Sequence, residues 1–323
     1  MFKRSRTDAA RPALPCRMPD ATLLSPSELA QIESFELRAR TVVEGFITGL
    51  HKSPFHGFSV EFAEHRAYSP GDELRHVDWK VYGRSDRLVV KRYEEETNLR
   101  HYIALDSSAS MRYAGHAGIS KLEYGATLAG ALHVLMARQR DATGLITFDR
   151  TVQTVVPPKA TRTHVRTLLA RLSRLSAEAE GATDTNAAAA LQDIAERIPR
   201  RALVVVISDL FESTAGADDT VRALRHLRHR GHEVVVFHVL DAATEQRFDF
   251  DDRPVRVRDM ETGEERTLQP AQVREAYREA SGAFVASVRR ACREAGVDYE
   301  LLDTARPYAD ALRAYLDKRK RLY

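Results

Sequence analysis

The chain has little of what would mark a crosslinked, membrane-spanning or strongly charged protein. Its 323 residues include only two cysteines, Cys16 and Cys292, too few for a disulfide framework. Cys292 falls among Phe284, Val288 and Ala295 on the apolar side of a helical pattern, and a reduced, cytoplasmic setting is expected. No window approaches the ~18 uninterrupted apolar residues of a membrane span. Residues 1–24 carry Lys3, Arg4, Arg6 and Arg11 with no apolar block behind them, so they read as a disordered arm and not as a secretory signal. Charge of one sign is missing too: 49 Lys+Arg against 46 Asp+Glu leave +3, which names no nucleic-acid partner. His51, His56, His65 and His76 lack a metal-ligand spacing, and zinc is not expected. There is no Gly-x4-Gly-Lys-Ser/Thr loop, no Gly-x-Gly-x-x-Gly after a strand and no Gly-x-Ser-x-Gly, which leaves nucleotide loops and the serine-hydrolase elbow unsupported.

What is present has the balance of a soluble globular protein, with 43% apolar and 29% charged residues. Residues 25–98 read as a helix followed by a small β-rich unit. Ser25, Pro26 and Glu28 supply an N-cap, a first-turn proline and a capping-box acid. Leu29, Ile32, Phe35, Val42, Val43, Phe46 and Ile47 then recur at helical spacing, predicting one amphipathic helix that ends near Gly49. Phe58, Val60 and Phe62 alternate with polar residues, and a turn at 69–72 separates them from a second extended stretch at Leu88 to Tyr93.

From residue 99 to 323 short apolar runs alternate with helical stretches. Tyr102–Leu105, Leu145–Phe148, Leu203–Ile207 and Val234–Phe237 are apolar on both faces, which calls for a sheet covered by helices on both sides. The predicted fold is therefore α/β, a doubly wound, mostly parallel sheet. Asp149-Arg150 is too short for a parallel crossover and predicts a hairpin with one antiparallel edge strand. Residues 246–268 read as a surface insertion between the fifth and sixth strands. His226, His229 and His232 are expected to face solvent, and Lys318 to Arg321 to form a solvated last helical turn.

The residues that carry chemistry sit where the first buried strand ends. Asp106, Ser108 and Ser110 are spaced by two, so three oxygen-bearing groups can turn to one side as the chain leaves the strand. Such a partial cage suits a hard cation, since magnesium takes oxygen ligands in near-octahedral geometry and keeps several waters. Further oxygens have two sources: 181–185, with Thr183, Asp184 and Thr185 opening a helix, and Ser208-Asp209, closing an apolar strand. In open α/β sheets ligands bind outside the carboxyl ends of the strands, where strand order reverses. If the strands ending at Asp106 and Asp209 are neighbours across that reversal, their loops meet in one crevice.

Asp106-x-Ser108-x-Ser110, Thr183 within Gly-x-Thr, and Asp209 after an apolar strand resemble the metal-ion-dependent adhesion site (MIDAS) of the von Willebrand factor A domain family. The resemblance implies Mg2+ (or Mn2+) with the hydroxyls of Ser108, Ser110 and Thr183 as direct ligands, Asp106 and Asp209 acting largely through waters, and one position open to a partner's Asp or Glu. Thr185 competes with Thr183 for that role. Upstream, Tyr68–Asp72, Arg75-His76-Val77-Asp78-Trp79, Arg84 and Tyr93–Glu96 resemble the bacterial domain of unknown function 58 family. That likeness implies a non-enzymatic protein-interaction partner of MoxR-type AAA+ ATPases in the assembly or maturation of other proteins. The resemblance departs at Ser208-Asp209-Leu210, where A domains often show Thr-Asp-Gly, and at Ala182, which stands where a second glycine is common.

Plainer readings stand beside these. Ser, Thr and Asp also cap helices and make turns. Arg75 and Asp78 fit a buried ion pair with Trp79 packed beside it, fixing the β-unit to the A-type domain. Two other classes stay open: a magnesium-dependent phosphoryl-transfer enzyme with Asp106 as nucleophile, and a metal-free scaffold. Against the enzyme, the second carboxylate expected two residues after such a nucleophile is Ser108, and no basic phosphate clamp is evident.

Overall fold

In the computed structural model of the chain, residues 24–51, 65–69, 79–91, 100–177, 187–199, 201–211, 217–260 and 263–320 are described. The single helix expected after Ser25 is two, α1 (Pro26–Ala30) and α2 (Phe35–His51). Ser25 and Glu28 close the capping box of α1. The break lies at Ser34, whose hydroxyl accepts a hydrogen bond from the Leu37 amide and restarts the helix. The Arg38 guanidinium then donates to the carbonyls of Ala30 and Ile32 beside the break and to Glu123. Polar groups that periodicity ignores thus divide an apolar stripe that runs across both helices.

In the next segment β1 (His65–Ala67) and β2 (Val89–Lys91) pair antiparallel, with α3 (Trp79–Ser85) between them in sequence. The expectation that Trp79 packs inside is overturned: it is 58% exposed and meets Tyr82 edge-on, three residues along the same helix face. Phe58, Val60, Phe62, Arg75 and Asp78 lie outside the described residues.

The main sheet of the described residues contains β3 (Arg100–Asp106), β4 (Ala142–Phe148), β5 (Val152–Lys159), β6 (Ala202–Ser208), β7 (Glu233–Leu240) and β10 (Asp298–Asp303). Their order is β10-β7-β6-β3-β4-β5, all parallel except the edge strand β5, which turns back on β4. Between β7 and β10, β8 (Val255–Arg258) and β9 (Glu265–Leu268) form a separate hairpin. The doubly wound, mostly parallel sheet with one antiparallel edge strand is as predicted.

Alternation along the strands decides which layer each side chain joins. Ile103, Leu105, Leu203, Val205, Ile207, Val235 and Phe237 face one core, with α2, α4 (Lys121–Arg138), α5 (Arg162–Ala177) and α9 (Ala309–Lys320). Tyr102, Ala104, Val204, Val206, Val234 and Val236 face the other, with α6 (Ala187–Arg197), α7 (Ala217–His229) and α8 (Pro270–Glu294). Buried Phe35, Val43 and Phe46 seat α2 in the first core, each side chain contributing roughly 1.5–3 kcal/mol. Gly130 allows the approach: a β-carbon there would come within 3.0 Å of the Phe35 ring. Cys292 is buried as a free thiol. Among the described residues, no helix is long and apolar enough to cross a membrane.

Two surface expectations are corrected. His232 is buried, and its Nδ1 accepts from the Ala202 amide at 3.4 Å, which ties it to the start of β6. Lys318 is also buried, bridging Glu233 (2.6 Å) and Asp298 (2.8 Å), while Arg319 pairs with Asp141 at 2.8 Å. Acids at the starts of β7, β10 and β4 draw the last helix inward.

Candidate metal centre

From β3 the chain crosses to β4 on one side, and from β6 it crosses to β7 on the other, so β3 and β6 are neighbours at the reversal of strand order. Leu105 pairs with Ile207, and the residues after them, Asp106 and Ser208, end the two strands side by side. Ser107 bends toward β4, donating its amide (2.7 Å) and hydroxyl (2.9 Å) to the Phe148 carbonyl. That anchor turns Asp106, Ser108 and Ser110 the other way. Buried Met111 holds the short 3-10 turn Ser110–Arg112 that carries the last of the three.

Asp106 is buried, with one carboxylate oxygen accepting from the Ser108 amide (2.9 Å) and the other from the Ser208 hydroxyl (2.6 Å). The hydroxyls of Ser108 and Ser110 lie 3.0 Å apart. Ser208 in turn accepts from the Leu210 amide at 2.9 Å. Asp209 is fully buried, one oxygen accepting from the Phe211 amide (3.1 Å) and the other from the Lys121 ammonium (2.7 Å). Thus Asp106, Ser108, Ser110 and Asp209 gather, all buried, at two neighbouring strand ends. Thr183, Asp184 and Thr185 lie outside the described residues.

Lys121 is the residue that sequence reading missed. It is the first residue of α4, is buried, and bonds Asp209 on one side and Glu245 on the other. Gly125 brings the helix down onto the strands, since a β-carbon there would lie 3.1 Å from both Ile207 and Leu105 side chains. A lysine at the positive end of a helix opposes the dipole, and that mismatch was the available signal. Glu245 offered none, lying 124 residues further on in a five-residue π-helical turn, Ala242–Gln246.

The electrostatics follow from burial. Removal from water, and then the neighbouring Asp209, push the Asp106 carboxyl up to about 7, against the hydrogen bonds from Ser208 and Ser108. Burial works against the Lys121 ammonium, but Asp209 and Glu245 more than offset it and hold lysine charged, above its ordinary range. Burial also raises Glu245, with Lys121 opposing. With all three carboxylates ionised against one ammonium, the cluster is two charges short of neutrality, and no cation touches Asp106 among the contacts above. Two carboxylates and two hydroxyls fit a hard divalent ion, whose arrival would favour the ionised form of Asp106. The fit rests on hydroxyls as much as on acids: among the described residues no three His, Cys, Asp or Glu side chains converge in a metal-holding group.

Compared with known proteins, residues 64–284 match the family described as Protein of unknown function DUF58. Uncharacterized protein Rv1480 of Mycobacterium tuberculosis is 28% identical over 319 residues, covering 97% of this chain and 98% of that protein. Uncharacterized protein Mb1516 of Mycobacterium bovis matches to the same extent. Similar solved structures include conserved hypothetical protein BatB from Bacteroides thetaiotaomicron, at 18% identity and a TM-score of 0.42, covering 69% of this chain and 99% of that one. An aerotolerance-related membrane protein from Bacteroides fragilis stands at 22% and 0.43, covering 68% and 99%. The SpRpn10 VWA domain stands at 11% and 0.36, covering 66% and 93%.

Proposed function

We propose, from the premise that this chain belongs to the DUF58 family, that it is a non-enzymatic protein-interaction module whose strand-end crevice takes Mg2+ or Mn2+ and through it a partner's Asp or Glu. The observation that carries this reading is the gathering of Asp106, Ser108, Ser110 and Asp209 at the switch point. Ser108 and Ser110 supply neutral oxygens, while Asp106 and Asp209 supply charge from behind, each pinned by backbone amides. A bound divalent ion would add a Lewis-acidic centre for an incoming carboxylate. The chain's own part is to hold four oxygens in place and to keep the floor of the crevice dry. Thr183 is proposed as a further hydroxyl ligand, with Thr185 its alternative. The partner is proposed to be a MoxR-type AAA+ ATPase acting in the cytoplasm on other proteins, a step that rests on family resemblance.

Calorimetric titration with Mg2+ and Mn2+ tests the site: the wild-type chain should bind one ion and Asp106→Ala none, and an ion bound by both with the same affinity would remove the site. Retention of a MoxR-type ATPase on the immobilised chain, with and without EDTA, tests the partner. A second reading, the metal-free scaffold, is favoured by one observation, the ammonium already seated on Asp209. It predicts retention that EDTA leaves untouched.

A further inference from the structure

The Lys121 ammonium sits on Asp209, one of the two carboxylates offered to the divalent ion, and it is fastened from two sides. Asp209 has both oxygens engaged, one by the Phe211 amide and one by Lys121. Glu245 is equally occupied, one oxygen on Lys121 and the other on the Asp241 amide at 2.8 Å. The rings of Tyr113 and Phe211 flank the ammonium at 5.8 and 5.9 Å. We propose that Lys121 is a built-in competitor of the divalent cation for Asp209, with Glu245 as its alternative seat, so that the ammonium's position regulates cation entry. This inference rests on the metal-site reading above and deepens it.

The geometry gives the competition a direction. An ion reaching Asp106, Ser108 and Ser110 brings two positive charges toward a buried ammonium, and burial removes the water that would screen them. The lysine backbone cannot retreat, because the close approach at Gly125 fixes the start of α4. Only the head of the four-carbon stem can shift, and Glu245 already holds it from the far side. Glu245 also belongs to a connection that reaches further: its carbonyl accepts from Ser281 of α8 at 2.9 Å. Movement of the ammonium toward Glu245 would therefore be felt in the π-helical turn that follows β7 and, through Ser281, in α8.

The test uses the full chain and MnCl2, with calorimetric affinity and hydrogen exchange as readouts. Lys121→Met should bind Mn2+ about tenfold tighter than wild type or better, since one unit of like charge is removed from a buried site. Glu245→Gln, which leaves the ammonium to Asp209 alone, should bind it several-fold more weakly. Exchange at residues 241–247 should change when Mn2+ is added to the wild type and stay unchanged in Lys121→Met. Wild-type chain that fails to bind while Lys121→Met binds would also support competition, with the ammonium holding the site shut. Lys121→Met binding no tighter than a binding-competent wild type overturns the competitor role and leaves the metal site standing. If wild type and both variants bind nothing, the metal site itself falls, and the competitor with it. Should Lys121→Met fail to fold by circular dichroism, Glu245→Gln decides alone: affinity equal to or tighter than wild type overturns the proposal.

Discussion

The two ends of the central sheet treat buried polar groups in opposite ways. At the starts of the strands, His101 bonds the Tyr315 hydroxyl (3.2 Å), His133 the Thr143 hydroxyl (2.6 Å) and His164 the Thr143 carbonyl (2.9 Å). Around them Lys318, Arg319 and Arg228 meet Glu233, Asp298 and Asp141, cation for carboxylate. At the strand ends, Asp209 and Glu245 share one ammonium, Asp106 is met by an amide and a hydroxyl, and two serine hydroxyls touch each other. One end is electrically closed by its own residues and the other is not. Closure is what stability alone requires, because an uncompensated buried charge destabilises. The open end is where a further charge can be accepted, which makes the contrast a physical pointer to function.

Acidification should separate the ends most sharply. Burial holds His101 and His133 at about 3, against 6.5 for a free histidine. The unfolded chain therefore takes up their protons first. Stability falls by about 1.4 kcal/mol per pH unit for each as pH drops from 6.5 toward 3. Asp106 acts with the opposite sign. At about 7 folded against 3.8 free, it binds a proton first in the native state, and so adds a similar slope of stability as pH falls from 7 to 4. His238, which burial holds at about 4, adds to the loss, so the buried histidines outweigh the one carboxyl, and urea unfolding in EDTA between pH 7.5 and 4 should show a net loss of several kcal/mol. His133→Gln should flatten that loss and Asp106→Asn should steepen it. An Asp106→Asn profile parallel to wild type would show that the crevice is as closed as the base.

Breaking the balance at the closed end should cost less, but still much. Lys318→Met leaves Glu233 and Asp298 without their shared ammonium, for a loss of about 3 kcal/mol in urea unfolding at pH 7, tempered by the partial exposure of both acids. Mn2+ affinity at the far end should not change. If it does, the two ends are coupled and the comparison fails as drawn.

These two ends were unequally legible in the sequence. The strands announced themselves because their apolar runs are longer than one face needs, and Asp106, Ser108 and Ser110 stood out by spacing alone. The seat of Asp209 beside Asp106 required that β3 and β6 be neighbours, a condition the sequence alone left open. Lys121 offered only its mismatch with the helix dipole and Glu245 nothing, because their partnership spans 124 residues. For the same reason Lys318 read as a solvated helix end and His232 as a surface group: burial of a polar side chain depends on partners delivered by topology. The split between α1 and α2 was missed because the apolar period runs through it, while the cause is a hydroxyl and a guanidinium.

The smallest test concerns the two left-handed residues that bracket β6. Arg201, with φ of 62°, precedes the strand, and Leu210, with φ of 52°, follows it beside Asp209. Both strain an L-residue by roughly 1–2 kcal/mol, which glycine would relieve. Arg201 is exposed, so Arg201→Gly should gain about 0.5 kcal/mol once the added freedom of the unfolded glycine is counted. Leu210 is buried in the second core, and there the same change should lose about 2 kcal/mol, because the packing of the side chain exceeds the strain. Leucine at this position therefore seals the floor behind Asp209 in a way glycine could not. Thermal unfolding of both variants would measure the difference. A stabilised Leu210→Gly would mean that the crevice floor is held by its hydrogen bonds alone.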